Sequence, residues 1–353
     1  MNKILICFMF IFSYSFVCAI KLDEISSLDK CFLKAINEIS VKVDMAKNNK
    51  EKTKLLETLA EMLIINKQYL PALSIYNNLL ESKKIPKRKK KEYYVKLGDI
   101  YKLEKNYGFS LEYYHKALLL YKKNIDVRFK IGNMFLKNKL YNLAEKYFLE
   151  VLAINKNSDA AKKGLGDVYS CQNIDTKAIE YYSQINPKNY DKETVVSFVN
   201  CYRDLNRFDD AIKVLDIFMK ENKDTELFFL SGLLFIDKKE YLKAKDMFLN
   251  SVQYGESNFR VYVYLALIYE LTGEIQKAKT MYDKAYSINS SYAVVDLMQA
   301  KIAYKMNRFY EARRYAYNAY VKAKTVFVKN QAQKMIDFLR SDNNLLSIKD
   351  SVK

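Results

Sequence analysis

The chain has 353 residues, half of them hydrophobic, with eight Gly, three Pro, no Trp and a formal charge of +18 at neutral pH. So little Gly and Pro excludes turn-rich architectures and predicts long helices with short connections. The charge comes from fifty Lys against nine Arg. Lysine spread over every polar face solvates a surface, whereas arginine is the side chain favoured for bidentate phosphate contacts, so the balance speaks against nucleic acid as a partner.

At the N-terminus, Met1-Asn2-Lys3 precedes an apolar run from Ile4 to Val17 and then Cys18-Ala19, the order of a secretory signal cleaved after Ala19. The run of fourteen residues is short for a helix crossing the hydrocarbon core, which makes an uncleaved anchor the second reading. Lipid modification of Cys18 is the third, and Val17 places a branched side chain where such signals use a small one. Residues 1–19 are therefore expected to be a signal peptide, and the remaining chain to be exported to the periplasm or cell envelope. Residues 20–50 read as an N-terminal helix, with Ile25, Leu28, Phe32, Ile36, Ile39 and Val43 at helical spacing.

From there the sequence repeats. Leu97-Gly98-Asp99-Ile100-Tyr101 recurs 34 residues later as Ile131-Gly132-Asn133-Met134-Phe135, and again as Leu165-Gly166-Asp167-Val168-Tyr169. Each Gly is followed twelve residues on by a small side chain, and that second series runs Ala72, Ser110, Ala144, Ala178, Ala211, Ala244, Ala278, Ala312. Its spacing is 33 or 34 after a first step of 38, whose excess is an inserted loop. Antiparallel helices approach closely only where small residues cross, and Gly98, Gly132, Gly166 and Gly232, with Ala60, Ala266 and Ala300, supply them on the first helix of each unit. Pro71 falls near the start of a second helix, where its missing N–H is tolerated, and Pro187 is expected to cut the fourth unit's second helix short. Residues 51–324 form the stack. Residues 325–340 read as a capping helix with Phe327, Met335, Ile336 and Leu339 on one face, and 341–353 as a polar tail.

Tyr94, Leu97, Gly98, Tyr101, Tyr114 and Ala117, and again Tyr262, Leu265, Ala266, Tyr269, Ala278, Tyr282 and Ala285, carry a resemblance to the tetratricopeptide-repeat family. The Trp of that pattern is replaced throughout, the closing Pro is mostly absent, and Val199 and Gln299 occupy positions that normally take small or apolar residues. The resemblance implies an all-α, right-handed α-solenoid of about eight helix-turn-helix units with terminal capping helices. It also implies a concave groove, lined by the first helices, that binds a protein or peptide partner. In the family the residue after the Gly faces the groove, and here that position reads Glu61, Asp99, Asn133, Asp167, Asn200, Leu233, Leu267, Lys301. Such a ladder can grip an extended peptide backbone, and Asn133 and Asn200 suit it best because an amide both donates and accepts; the alternative is that short polar residues simply solvate the groove. Phe229, Leu233, Ile236, Val263, Leu267 and Leu271 either form an apolar groove wall or pack against neighbouring helices. The family's clamp for a C-terminal carboxylate needs Lys and Asn one turn apart. Here Lys163 is followed by Asp167, and Phe129 precedes Asn133.

Catalytic constellations are missing from the sequence. His115 is the only histidine, no paired-His or Cys-x-x-Cys motif exists, and Gly164-Leu165-Gly166 lacks both the third glycine and the preceding strand of a nucleotide loop. The expectation is a non-catalytic scaffold or adaptor with no cofactor and no metal. Outside the signal segment Cys31, Cys171 and Cys201 remain, and Cys171 and Cys201 fall on neighbouring helices about 10 Å apart, too far for an easy bridge. One feature stands apart: Lys83, Lys84, Lys87, Arg88, Lys89, Lys90 and Lys91 lie within nine residues in the inserted loop. They read either as a solvated linker or as a site for an anionic membrane surface or other polyanion, which makes a peripheral membrane or polyanion-binding protein the alternative function.

Overall fold

The computed structural model describes residues 30–82, 85–255 and 258–341. The expected signal segment, the start of the N-terminal helix, Lys83, Lys84 and the polar tail beyond Ser341 lie outside the described residues. Among the described residues all regular structure is helical. The helices are α1 (Lys30–Asp44), α2 (Asn49–Ile65), α3 (Tyr69–Glu81), α4 (Lys87–Leu103), α5 (Tyr107–Leu120), α6 (Ile125–Lys137), α7 (Tyr141–Ile154), α8 (Asp159–Cys171) and α9 (Asp175–Ser183). They continue as α10 (Lys192–Asp204), α11 (Phe208–Met219), α12 (Thr225–Asp237), α13 (Tyr241–Gln253), α14 (Phe259–Leu271), α15 (Ile275–Ile288), α16 (Ala293–Lys305), α17 (Phe309–Lys322) and α18 (Val326–Ser341). Contacts divide the chain into two compact units, one up to Val168 and one from Tyr169, with the division inside α8. In each unit, successive antiparallel hairpins pack side by side in the manner of an α-solenoid.

Local sequence sets where the helices begin and turn. The side chains of Asn48, Asn124, Asp191, Asp224 and Asn258 cap α2, α6, α10, α12 and α14 by accepting from backbone amides of the first turn. Between the two helices of a hairpin, the chain reverses through a left-handed residue: Lys67, Lys105, Lys139, Asn173, Asn206, Lys239, Gly273 and Asn307 all have positive φ. The amide that follows returns to a first-helix carbonyl, as in Gln68 to Leu63 (2.8 Å), Asn106 to Tyr101 (2.8 Å) and Leu140 to Phe135 (2.9 Å). This closes orphan carbonyls in the Schellman manner, with Lys or Asn where Gly is usual.

The small residues do more than let helices cross. A Cβ placed on Gly98 would lie 2.6 Å from the ring of Tyr114, one on either Gly132 or Gly164 would lie 2.7 Å from Phe148, and one on Gly232 would collide with the ring of Phe248. Each glycine is thus the floor on which an aromatic ring of a second helix rests. Phe148 fills two such places at once, one on α6 and one on α8. The rings of Tyr114, Phe148 and Phe248 are fully buried, as is every residue of the small series from Ala72 to Ala312. Ser110, the one polar member of that series, donates to the Gly98 carbonyl at 2.8 Å, so its buried hydroxyl costs little.

The ends and departures follow from the same packing. On α1, Ile36 and Ile39 pack against the cluster of Leu59 and Leu63. On α18, Ala332 and Leu339 are buried and Met335 and Ile336 pack inward. Phe327, expected on that packed face, is instead 72% exposed, as is its neighbour Val326 at 76%, so the packed face begins further along the helix. The second helix α9 stops at Ser183, ahead of a 3-10 turn at Pro187–Asn189, as the restriction that proline places on its predecessor requires. Val199 is simply buried, and Gln299 donates to Asp283 at 2.9 Å. Cys171 and Cys201 are not joined in a disulfide, the first being exposed and the second buried. Burial pushes the Cys201 thiol up to about 12, which keeps it protonated and inert.

Gly98→Ala is expected to destabilise the fold by about 1–3 kcal/mol, because the buried Tyr114 ring has nowhere to go. Gly108→Ala, where the nearest atom is Asn106 Oδ1 at 4.0 Å, should be neutral or stabilising by up to about 1 kcal/mol. Lys139→Gly should add up to about 1 kcal/mol by relieving the left-handed backbone. Thermal melts of the three variants against the parent check all three signs.

Candidate functional site on the first helices

The residue that follows the small position lies on the same helix face in every hairpin, since the repeat fixes its register. In the N-terminal unit Asp99 accepts from the Tyr114 hydroxyl at 2.7 Å and from Lys130 Nζ at 2.5 Å, and Lys102 Nζ stands 3.8 Å away. Burial, then the Asp99 charge, pushes the Tyr114 phenol far above its ordinary range. Burial likewise lowers the Lys102 ammonium; Asp99 opposes this, while Lys130 and Lys137 add to it. One carboxylate therefore serves several cations on α4 and α6, and the face around it is positive.

Asp99 belongs to a wider pattern of ion pairs between one first helix and the next. Glu57 accepts from Lys89 at 2.8 Å and from Tyr93 Oη at 2.6 Å, and Glu61 pairs with Lys96 at 2.9 Å. In the C-terminal unit Arg203 pairs with Asp237 at 2.5 Å and Glu270 with Lys305 at 2.6 Å. Sequence reading missed these pairs, although their separations of 31 to 36 residues were available as a signal. They consume much of the polar ladder internally, and Asp167 is also engaged within the protein.

Asn133 and Asn200 differ. Both are half-buried, and among the described residues neither side-chain amide has a hydrogen-bond partner within the protein. Asn133 sits between Lys130 and Lys137 on α6, one turn from each. Asn200 precedes Arg203 on α10 by one turn. The apolar positions behave otherwise: Phe229 lies between Phe248 and Tyr264, with ring centroids 5.7 Å from each. Leu233 and Ile236 pack on the Phe248 and Leu265 cluster, and Val263 and Leu267 on that of Ala266 and Tyr282. Leu271 alone of the six is open, at 65% exposure.

From Lys87 onward the basic run is not the loop that its composition suggests. Helix α4 begins at Lys87, directly after Pro86, because Pro fixes a φ that leads into a helix and Lys and Arg are good helix formers. Arg88 is paired with Glu92 and Lys89 with Glu57. The ammonium groups of Lys87 and Lys91 lie over the Tyr121 ring, at 5.7 and 5.2 Å from its centre, and Lys90 lies over Tyr94 at 5.9 Å.

His115 is exposed, with Nε2 3.3 Å from the Tyr147 hydroxyl. Among the described residues no group of three His, Cys, Asp or Glu side chains is arranged to hold a metal, and no helix is long and apolar enough to cross a membrane.

Helix hairpins stacked at a 33 or 34 residue repeat define a helical-repeat scaffold. The tetratricopeptide-repeat profile matches residues 125–158 and 259–292, which are α6 with α7 and α14 with α15. These two segments are tetratricopeptide repeats, a fold whose members generally act as protein–protein interaction scaffolds. No curated protein sequence matches it. Among solved structures, a tetratricopeptide repeat protein from Parabacteroides merdae ATCC 43184 is similar at 15% identity over 69% of this chain and 95% of that one, with a TM-score of 0.48. YrrB, described as a TPR protein with an unusual peptide-binding site, is similar at 17% identity over 52% of this chain and 95% of its own, with a TM-score of 0.46. MamA from Desulfovibrio magneticus RS-1 is similar at 13% identity over 47% and 96%, with a TM-score of 0.44.

Asp99→Ala should lower stability by about 1–3 kcal/mol, since it leaves the Tyr114 hydroxyl without an acceptor. Asp99→Asn, which retains an acceptor oxygen, should cost less. Urea unfolding of the two variants gives the comparison directly.

Proposed function

We propose that the protein is a non-catalytic scaffold of the cell envelope that holds an extended segment of a protein partner against its first-helix faces. Asn133 serves as a grip in the N-terminal unit and Asn200, separately, in the C-terminal unit. The observation that supports this reading is the pair of half-buried amides at equivalent repeat positions with no hydrogen-bond partner among the described residues, while Glu61 and Asp99 in the ladder are spent on internal ion pairs and Asp167 is engaged within the protein. A side-chain amide held this way can donate to one peptide carbonyl and accept from one peptide N–H, which recognises a backbone irrespective of its side chains. Lys130 and Lys137, flanking Asn133, favour a segment carrying acidic side chains there. The N-terminal run Ile4–Val17 supports export, and export is part of the proposal.

A photo-reactive residue at Asn133 or at Asn200 should give a discrete protein adduct in the native cell, and one at the exposed second-helix residue Lys146 should not. Asn133→Ala should weaken binding of the captured partner about tenfold, the scale of one lost hydrogen bond. Adducts of equal yield at Lys146, or none at either asparagine, would overturn the assignment.

A further inference from the structure

Independently of the ladder, the start of α4 meets the end of α5 in a way the sequence does not reveal. Tyr121 closes α5 and is followed by Lys122 and Lys123; its ring lies beneath the ammonium groups of Lys87 and Lys91. Two segments about thirty residues apart thus meet at the Tyr121 ring and between them carry seven cations, Lys87 to Lys91 with Lys122 and Lys123, against the carboxylates of Glu92 and Asp126; Lys89 is the one turned toward Glu57 on α2. Glu92 is committed to Arg88 and Lys89. Among the described residues, Lys87, Lys90, Lys91, Lys122 and Lys123 have no ion-pair partner, and Lys87, Lys122 and Lys123 are exposed.

This arrangement costs the fold stability. Five cations occupy the positive end of the α4 dipole, no acidic residue lies in its first turn, and Pro86 offers no side-chain cap, unlike the capped starts of α2 and α6. An external negative surface would offset that repulsion. The end of α5 also presents Leu119, 76% exposed, and Tyr121, 39% exposed, an apolar side chain and an amphipathic ring of the kind that settles at a lipid headgroup boundary. Six of the seven cations are Lys, which act as point charges toward a diffuse anionic layer, where base or phosphate recognition would favour the Arg fork.

We infer that the α4 start and the α5–α6 turn form a platform that docks on an anionic lipid surface, with Leu119 and Tyr121 reaching the headgroup layer. The test is co-sedimentation of the full chain with phosphatidylcholine vesicles, with and without phosphatidylserine, at low and physiological salt. The variants are K87E/K91E, K122E/K123E and the charge-matched control K146E/K156E. Binding is expected only with phosphatidylserine, falling with salt, and each patch pair should weaken it by about tenfold or more while the control stays near the parent. K87E/K91E should also melt no lower than the parent, since Glu suits a helix start, so that its loss of binding reports the surface and not the fold. Four outcomes would overturn the assignment: no phosphatidylserine dependence, equal loss in the control, binding untouched by K122E/K123E, or vesicle binding abolished by duplex DNA that is held more tightly through the same lysines.

Discussion

The contact on which this fold depends is an aromatic ring seated on a missing side chain. Tyr114 on Gly98, Phe148 on Gly132 and Phe248 on Gly232 bring the two helices of a hairpin together, and Phe148 on Gly164 brings in the next first helix, at a separation no larger residue would permit. An interior packed to crystal-like density tolerates neither a gap nor an extra methyl at such a place. The neighbouring small series complements the rings, since Ala144, Ala244 and their equivalents keep the backbone close enough for each ring to reach across. Ser110 shows how narrow the allowance is, because its hydroxyl is admitted only through its bond to the Gly98 carbonyl.

With the hairpins set by packing, the first helices are joined to each other by charge as well as by apolar contacts such as that of Phe229 with Tyr264. Glu57, Glu61, Asp99, Asp237 and Glu270 each accept a cation from an adjacent first helix. Several of these pairs are partly shielded, so they hold register better than the same pairs would on an open surface. The face that the repeat offers for binding is therefore partly occupied by the protein's own side chains. What it leaves open is selective: two amides, and an excess of lysine around one of them.

Much of the fold was legible in the sequence because its cause is periodic. A Gly or Ala recurring at 33 or 34 residues, followed twelve residues later by another small side chain, can be read without coordinates. The left-handed turn residues share that period, yet Lys67, Lys105 and Lys139 carry no local mark, since lysine is an ordinary helix former whose conformation is imposed here by the closing hydrogen bonds. For the candidate site, the period locates the ladder, but residue type does not reveal that Asp99 is already engaged, because its proton donor and its nearest cation come from other helices. The run beginning at Lys87 misleads for a related reason. Dense charge resembles a solvated loop, and its helical state follows from Pro86, Glu57 and the Tyr121 ring, which no short window brings together.

Phe148 touches glycines on two successive first helices. A hairpin whose rings stayed within it could in principle loosen by itself, as the additive energetics of repeat proteins allow. Where one ring is shared, opening either side uncovers the same apolar surface, and the cost cannot be divided between them. The segment from α6 to α8 should therefore behave as one cooperative block within the N-terminal unit, its amides exchanging together. Asn133 lies inside that block. A partner held there meets a surface that is either wholly formed or wholly absent, so local fluctuation would change how often the site exists and leave its shape unchanged.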